Sequence, residues 1–405
     1  MIFSRKRLNS IGLLPLSFII YFFCLIIKPI YKIRFFVIRA DRLGHLICNT
    51  ELMLLETRKF HENERQTVIG CINEPICNHY LSIMWKAHFR ILPFSLIIPI
   101  IVAGRVMGGW FNLEAKPAAS DRDIFNLIDA NRCILTFTPT ERRIGRIELR
   151  RLGILDTSKY VCLIVRDSTY LEVKFPQRDF SYHNFRDSPI TDYEQAVYSL
   201  IGRGYNVFRM GAEVSSNMNI SDPKFIDYAV NGMRSEFLDI FLGGNCHFCI
   251  SQGTGFDGIP MVFKRPIVYV NVVPLFYICT FSNSFLGIFK HHIDLKTDQK
   301  LSVGEIFQSG VSECFTAACF EQRGIGLANN SSNEINNVVL EMEQRVNGKY
   351  EVSEANLKKQ QQFWSVFEKY NNMRIGSQKH GKLKAKIGSD FLRRNPYLLR
   401  KSNDL

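Results

Sequence analysis

Residues 243–271, GGNCHFCISQGTGFDGIPMVFKRPIVYVN, read as strand, glycine-rich turn, short helix and second strand. Residues 247–250 are short and apolar, 252–255 make the turn, 256–263 suit a helix, and the β-branched run 267–270 suits a buried strand. The turn is the informative part. Gly253 and Gly255 let the backbone approach a ligand with no Cβ in the way, and the N–H groups of the following helix point at the same spot. A helix start carries about half a positive charge and suits a phosphate or pyrophosphate. Ser251 and Thr254 would add hydroxyl donors, and Asp257 would accept from a ribose or a sugar hydroxyl. Tight glycine turns also occur in α/β sheets that bind nothing, so two glycines alone do not decide the chemistry.

The whole unit is more specific than its glycines. A strand ending in serine, the turn, one short helix and then Lys264-Arg265-Pro266 before a buried strand resembles the donor-site unit of two-domain GT-B glycosyltransferases. It is similar, too, to that of the related nucleotide-sugar 2-epimerases. In those enzymes the turn grips the donor diphosphate and an acid in the helix holds the ribose, a role the resemblance implies for Asp257.

At 405 residues the chain is long enough for two domains with separate cores. Its 46% hydrophobic and 22% charged content exclude a disordered majority. A net charge of +13 calls for an anionic partner: nucleic acid, phospholipid headgroups or a phosphorylated substrate. The 11 cysteines are scattered, odd in number and mostly inside apolar segments, as expected of reduced, buried thiols. Cys246 and Cys249 have metal-like spacing, with Cys314 and Cys319 as a possible second pair. They flank a predicted buried strand, however, where cysteine is an ordinary small apolar residue.

Residues 8–27 carry no charge; Arg5, Lys6 and Arg7 precede them, and Lys28, Lys32 and Arg34 follow. A helix of that length would reach about 30 Å, enough to span a bilayer. Three readings stand: a spanning helix, an interfacial anchor, or a buried helix of the first domain. Pro15 does not favour a straight span, and both flanks are basic, so the charge rule selects no orientation. The expectation is a membrane-associating segment over 1–32, on the cytoplasmic face of an anionic membrane. Alternating strands and helices then predict one Rossmann-like domain over 33–152 and a second over 153–343. Helices over 344–375 would cross back to the first domain. A basic tail over 376–405 carries Lys382, Lys384, Lys386, Arg393, Arg394 and Arg400 against Asp390.

Two further constellations could carry chemistry. The loop Arg39-Ala40-Asp41-Arg42-Leu43-Gly44-His45 follows the first strand, at the sheet end where open α/β folds bind ligands. It resembles the first loop of heptosyltransferase-type enzymes, where a glycine precedes an acidic catalytic base. Here Gly44 precedes His45, whose ordinary pKa of about 6.5 suits a general base. Asp41 is the alternative base, and a helix-capping role for His45 is the competing reading. Second, Arg166 and Ser168 in VRDS, and Arg209 and Gly211 in FRMG, close two consecutive strands. Arg166 resembles the strand-end arginine that meets the donor pyrophosphate in fucosyltransferase-like enzymes. Two such arginines facing the glycine turn would neutralise a departing diphosphate, and no DxD motif at a strand end asks for a metal.

Together, IRADRLGHL, IVRDS, VFRMGAE and the 251–271 segment resemble a bacterial family of predicted glycosyltransferases associated with surface polysaccharides. The resemblance implies an α/β fold of the GT-B plan, two Rossmann-like domains facing across a cleft. It implies transfer of a sugar from a nucleotide-sugar donor to a glycan or lipid-linked glycan, with no cofactor or metal. Three alternatives remain at this stage. A nucleotide-sugar epimerase of the same fold would need more acids near the sugar. A nucleic-acid binder would need interleaved surface aromatics, which are absent. A lumenal enzyme behind one N-terminal span would use sequons such as those at Asn219, Asn329 and Asn330.

Overall fold

The computed structural model describes residues 13–155, 157–373 and 379–400. The chain divides into two compact units, 1–121 with 130–135, and 122–129 with 136–405. The boundary expected at 152 therefore moves upstream.

The first unit is built on a short parallel sheet. Helix α1 (Leu14–Ile27) leads into β1 (Lys32–Ile38), which pairs with β2 (Gln66–Ile72); β2 in turn pairs with β3 (Arg90–Ile91). Between β1 and β2 the chain makes a π-helical turn, His45–Asn49, that runs on as α2 (Thr50–Phe60). The apolar stretch near 95–104, ambiguous in sequence, is helix α3 (Phe94–Met107).

Residues 8–12 of the expected hydrophobic segment lie outside the described residues. The rest is α1, with Pro15 in its first turn, where a missing N–H costs nothing. Among the described residues no helix is long and apolar enough to cross a membrane. Ser17, Tyr21, Cys24 and Leu25 lie three to four residues apart and form the buried face of α1. Tyr21, Cys24 and Leu25 join Phe35, Cys71, Ile97, Ile100, Ile101 and Leu113 in one core. Ser17 Oγ donates to the Leu96 carbonyl at 2.9 Å and Tyr21 Oη to the Phe111 carbonyl at 3.0 Å, which fixes α1 against the segment 94–113. One face of α1 is thus packed within the first unit.

The second unit starts from helix α4 (Pro139–Arg151), which the sequence reading had placed in the first domain. Thr138 and Glu141 cap it reciprocally. Seven strands follow: β4 (Tyr160–Ile164), β5 (Asn206–Met210), β6 (Phe225–Ile226), β7 (Phe248–Ser251), β8 (Ile267–Val272), β9 (Phe285–Phe289) and, last in the chain, β13 (Lys386–Ile387). All pairings are parallel, in the order β6-β5-β4-β7-β8-β9-β13. Through β9 this is the doubly wound order. The direction of winding reverses between β4 and β7, and open sheets of this kind bind ligands beyond the strand ends at that point. Beside it lies a small antiparallel sheet of β10 (His291–Asp294), β11 (Gln299–Lys300) and β12 (Ile325–Ala328).

The C-terminal segments belong to this unit. Helix α5 (Ser332–Val346) packs on β8 and β9. Helix α6 (Glu354–Asn372), expected to cross back to the first domain, buries Phe363 and Phe367 among Phe276, Phe289 and Phe307. The described part of the expected basic tail, 379–400, is folded, since β13 extends the sheet and a helix, Ser389–Arg394, follows. Several of its charges are also partnered: Lys384 lies 3.6 Å from Asp129, and Arg393 and Arg394 both pair with Asp390. Cys314 and Cys319 form a disulfide, against the expectation of reduced thiols throughout, while Cys246 and Cys249 are buried and free. Asn330 is buried, its side chain bonded to Asn271 and the Phe289 carbonyl, so it offers no surface for a glycan.

Candidate functional site

β4 and β7 run side by side, pairing Ile164 with Ser251, so the segments leaving them emerge together at the switch point. Gln252, almost wholly buried, joins those segments. Its Oε1 accepts from the Arg166 backbone N–H at 2.6 Å, and its Nε2 donates to Ser188 Oγ at 2.6 Å. Gly253 then turns the chain with φ +77°, and a Cβ built on it would meet nothing within 4 Å. The left-handed conformation and the open space above it require glycine in a way that packing does not.

Cations gather at this turn. Arg186, at the end of the 3-10 segment Ser181–Arg186, donates from Nη2 to the Gly253 carbonyl at 2.7 Å, and its Nε is enclosed with no partner. Arg166 Nε lies 2.8 Å from Asp187 Oδ1. Lys290, at the end of β9 and only 3% exposed, donates to the carbonyls of Phe185 and Asp187 at 2.8 and 2.9 Å. Burial, joined by repulsion from Arg166 and Arg186 and opposed by Asp187 and Asp192, lowers the Lys290 pKa to about 8. Burial likewise lowers Arg186 to about 10, with repulsion from Arg166 adding to it. Asp187 moves the other way: burial raises its carboxyl while Arg166 and Lys290 hold it down. The three cations thus repel one another, with the carboxylates of Asp187, Asp192 and Asp257 opposing that repulsion. An anion placed there relieves that repulsion.

The residues expected at this site divide into two groups. Arg166, Gly253, Thr254 and Gly255 come together, with Thr254 Oγ1 enclosed and unbonded. Ser251 and Asp257 lie beneath the turn: Ser251 Oγ donates to Asp257 Oδ2 at 3.1 Å and accepts from the Gly253 N–H at 3.0 Å. Both are buried, and the Asp257 carboxylate is engaged in holding the turn rather than presented to a ribose. Gly255 starts a 3-10 turn that continues into a helix of five residues, Gly258–Val262, shorter than expected.

Arg209 and Gly211 serve packing. Arg209 is buried, pairs with Asp227 at 3.1 Å and donates to the Ser216 carbonyl, so it is not the expected second arginine. Gly211 lies so close to Val214 and Ala229 that a Cβ would meet them at 2.8 and 3.2 Å. Ser168 precedes a six-residue helix without capping it, while its neighbour Asp167 accepts from the Ser215 N–H and Oγ at 2.7 and 2.8 Å. The cations near Arg166 that the sequence did not single out are Arg186 and Lys290. Lys290 had the same signal as Arg166, a charge directly after a buried apolar run; Arg186, in an irregular segment, had none.

In the first unit, His45 opens the π turn, as expected of a residue after Gly44. It is half-buried, and its Nδ1 is enclosed without a hydrogen-bond partner. Burial lowers its pKa and Arg39 adds to the effect, against the opposing influence of Asp121 and Asn49. The imidazole is therefore neutral and able to accept a proton at neutral pH. Asp41 lies 3.9 Å from Arg39 Nε. Among the described residues no group of three or more His, Cys, Asp and Glu side chains is arranged to hold a metal ion.

No family model matches the chain, and no curated protein does. Solved structures of similar fold include heptosyltransferase II of E. coli, the ADP-heptose lps enzyme, at 13% identity. That match covers 76% of this chain and 99% of the other, with a TM-score of 0.39. A glycosyl transferase of family 9 from Veillonella parvula is 10% identical over 77% of this chain and 97% of its own, with a TM-score of 0.44.

Proposed function

We propose that the chain is a glycosyltransferase that takes its sugar from a nucleoside-diphosphate donor and passes it to a hydroxyl of a glycan, lipid-linked in the form used by the cell. The observation that carries this reading is the cluster of Arg166, Arg186 and Lys290, with Arg186 bonded to the left-handed Gly253, at the switch point of a doubly wound sheet. In a glycosyl transfer the bond from the anomeric carbon to the diphosphate breaks, and negative charge grows on the leaving oxygen. Preorganised cations aimed at that charge stabilise the transition state more than the ground state. Arg186 and Arg166 would hold the two phosphates, Lys290 would supply the third charge, and the Thr254 hydroxyl would donate a hydrogen bond. With these groups in place, the departing diphosphate is neutralised without a divalent ion.

The acceptor hydroxyl needs a base, because its pKa lies far above neutrality. His45 is the group proposed for it, since its depressed pKa keeps the ring neutral; Asp41 is the alternative. An epimerase would instead need carboxylates free to move protons on the sugar ring. Here Asp187 is paired with Arg166 and Asp257 bonded by Ser251.

A panel of nucleotide sugars, nucleoside diphosphates and nucleoside monophosphates, read by thermal shift and then by product formation, tests the proposal. Stabilisation by diphosphates and their sugars but not by monophosphates, with sugar transferred from one donor, is the expected result. Equal response to all three classes, or to none, contradicts it.

A further inference from the structure

Helix α1 is apolar on every side, yet only one side is buried. Beside the face made by Ser17, Tyr21, Cys24 and Leu25, the residues Phe18, Ile19, Phe22, Phe23 and Ile26 point outward, with Ile19 66%, Phe22 56%, Phe23 57% and Ile26 76% exposed. Soluble helices turn polar residues to water, so a contiguous stripe of large apolar side chains marks a surface that another phase or partner covers. The stripe does not end with the helix. Ile30 and Tyr31 continue it, and α3, against which α1 packs, exposes Val102, Val106 and Met107. Trp110 and Phe111 are exposed at the point where Lys28 Nζ bonds the Trp110 carbonyl and lies 5.0 Å from its ring centre.

Charge tells what covers it. Residues 1–40 contain Arg5, Lys6, Arg7, Lys28, Lys32, Arg34 and Arg39 and not one acid. The acids that come near are already paired, Glu64 with Lys32 and Glu114 with Arg105. A second copy of the chain would bring its own Lys28 to this face and, from residues 13–40, no acid to pair it, which like-charge repulsion opposes. An anionic lipid surface matches both features, with apolar side chains entering the acyl boundary, Trp and Tyr at headgroup depth and Lys or Arg against the phosphates.

Among the described residues, α1 does not suit a span. Fourteen residues reach about 21 Å, short of the roughly 30 Å hydrocarbon core, and the other face of α1 is tied into the unit by Ser17 and Tyr21. We propose that the exposed face of α1, together with Ile30, Tyr31 and Trp110, is a monotopic docking surface for an anionic phospholipid bilayer, the helix lying in the plane of the interface. The donor-site proposal does not enter this inference. The folded and ion-paired residues 382–400 have no part in it either.

The full chain is mixed with vesicles of phosphatidylcholine alone or with phosphatidylglycerol, and binding is read by sedimentation, with brominated lipids to quench tryptophan. Binding to the anionic vesicles, weakened by salt, and quenching that is lost in Trp110→Phe are expected. The pair Phe22→Glu and Ile26→Glu, both on the exposed face, should weaken partitioning at least about tenfold while donor binding and the melting temperature stay unchanged. Vesicle binding untouched by that pair overturns the proposal. So does a wild-type dimer that the pair converts to monomer without loss of lipid binding, since the face would then be an interface between copies. Binding to zwitterionic vesicles as strong as to anionic ones would overturn the assignment to an anionic surface.

Discussion

Arg186 Nη2 donates to the Gly253 carbonyl across 2.7 Å, joining a guanidinium from an irregular segment to the one left-handed residue of the β7 turn. In the proposed donor site this bond would bring charge and backbone to one phosphate, so neither part would work alone. Gly253→Val tests the backbone part. A β-branched residue at φ +77° costs about 1–2 kcal/mol of stability, and its side chain would fill the open space proposed for the diphosphate. A modest fall in melting temperature with a loss of nucleotide affinity of at least about tenfold is expected by calorimetry. Stability lost with affinity intact would make the glycine purely conformational.

Lys290 gives the site a pH dependence of calculable sign. Its pKa of about 8 in the free protein means that it is charged at neutral pH and neutral above pH 8. A bound diphosphate favours the ammonium and raises that pKa. Affinity should therefore be flat below pH 8 and fall above it, by at most about tenfold per pH unit. The nucleotide itself does not confound this, because its terminal phosphate, with a pKa of about 6, is already ionised there. Lys290→Met should remove the alkaline fall and leave a weaker, pH-independent affinity.

His45→Ala should lower turnover at least about 100-fold with donor affinity near normal, the signature of a base that touches only the acceptor. Since burial and Arg39 depress the His45 pKa, the acid limb of kcat/KM in the wild type should fall below pH 6.5, the ordinary imidazole value. If His45→Ala is silent and Asp41→Ala carries the loss, the role belongs to Asp41.

Turnover should persist in excess EDTA, because three cations are proposed to do the work of a divalent ion at the leaving diphosphate. Activity that disappears with the chelator and returns with Mn²⁺ would require a metal in the step.

The sequence made the strand, glycine turn, helix and strand over 243–271 legible because each part follows from a local rule. A buried β-branched run, a left-handed glycine and a second buried run can be read without neighbours, and Gly253 and Arg166 stand where that reading placed them. What failed depended on packing between distant segments. Arg209 ends its strand as Arg166 does, but Asp227 and the Ser216 carbonyl reach it from the following loop, and no sequence period reveals that. Asp257 was read as facing a ligand, whereas the 3-10 start of its helix turns it under the chain toward Ser251. Arg186 could not be found at all, since its segment has neither strand nor helix periodicity. In α1 the apolar run was plain, but a helix that is apolar all round gives no sign of which face is buried.

Isothermal titration of a nucleoside diphosphate into the wild type, Arg166→Ala, Arg186→Ala and Arg209→Ala tests the central claim most directly. Losing a charge-assisted contact to phosphate costs about 1.5–3 kcal/mol, so Arg166→Ala and Arg186→Ala should each weaken binding about 10–100-fold with the fold retained. Arg209→Ala leaves Asp227 without its buried partner and should lower stability rather than remove contacts to the ligand. Unchanged affinity in both Arg166→Ala and Arg186→Ala would mean that the cations at Gly253 do not hold a diphosphate, and the donor-site account would be wrong.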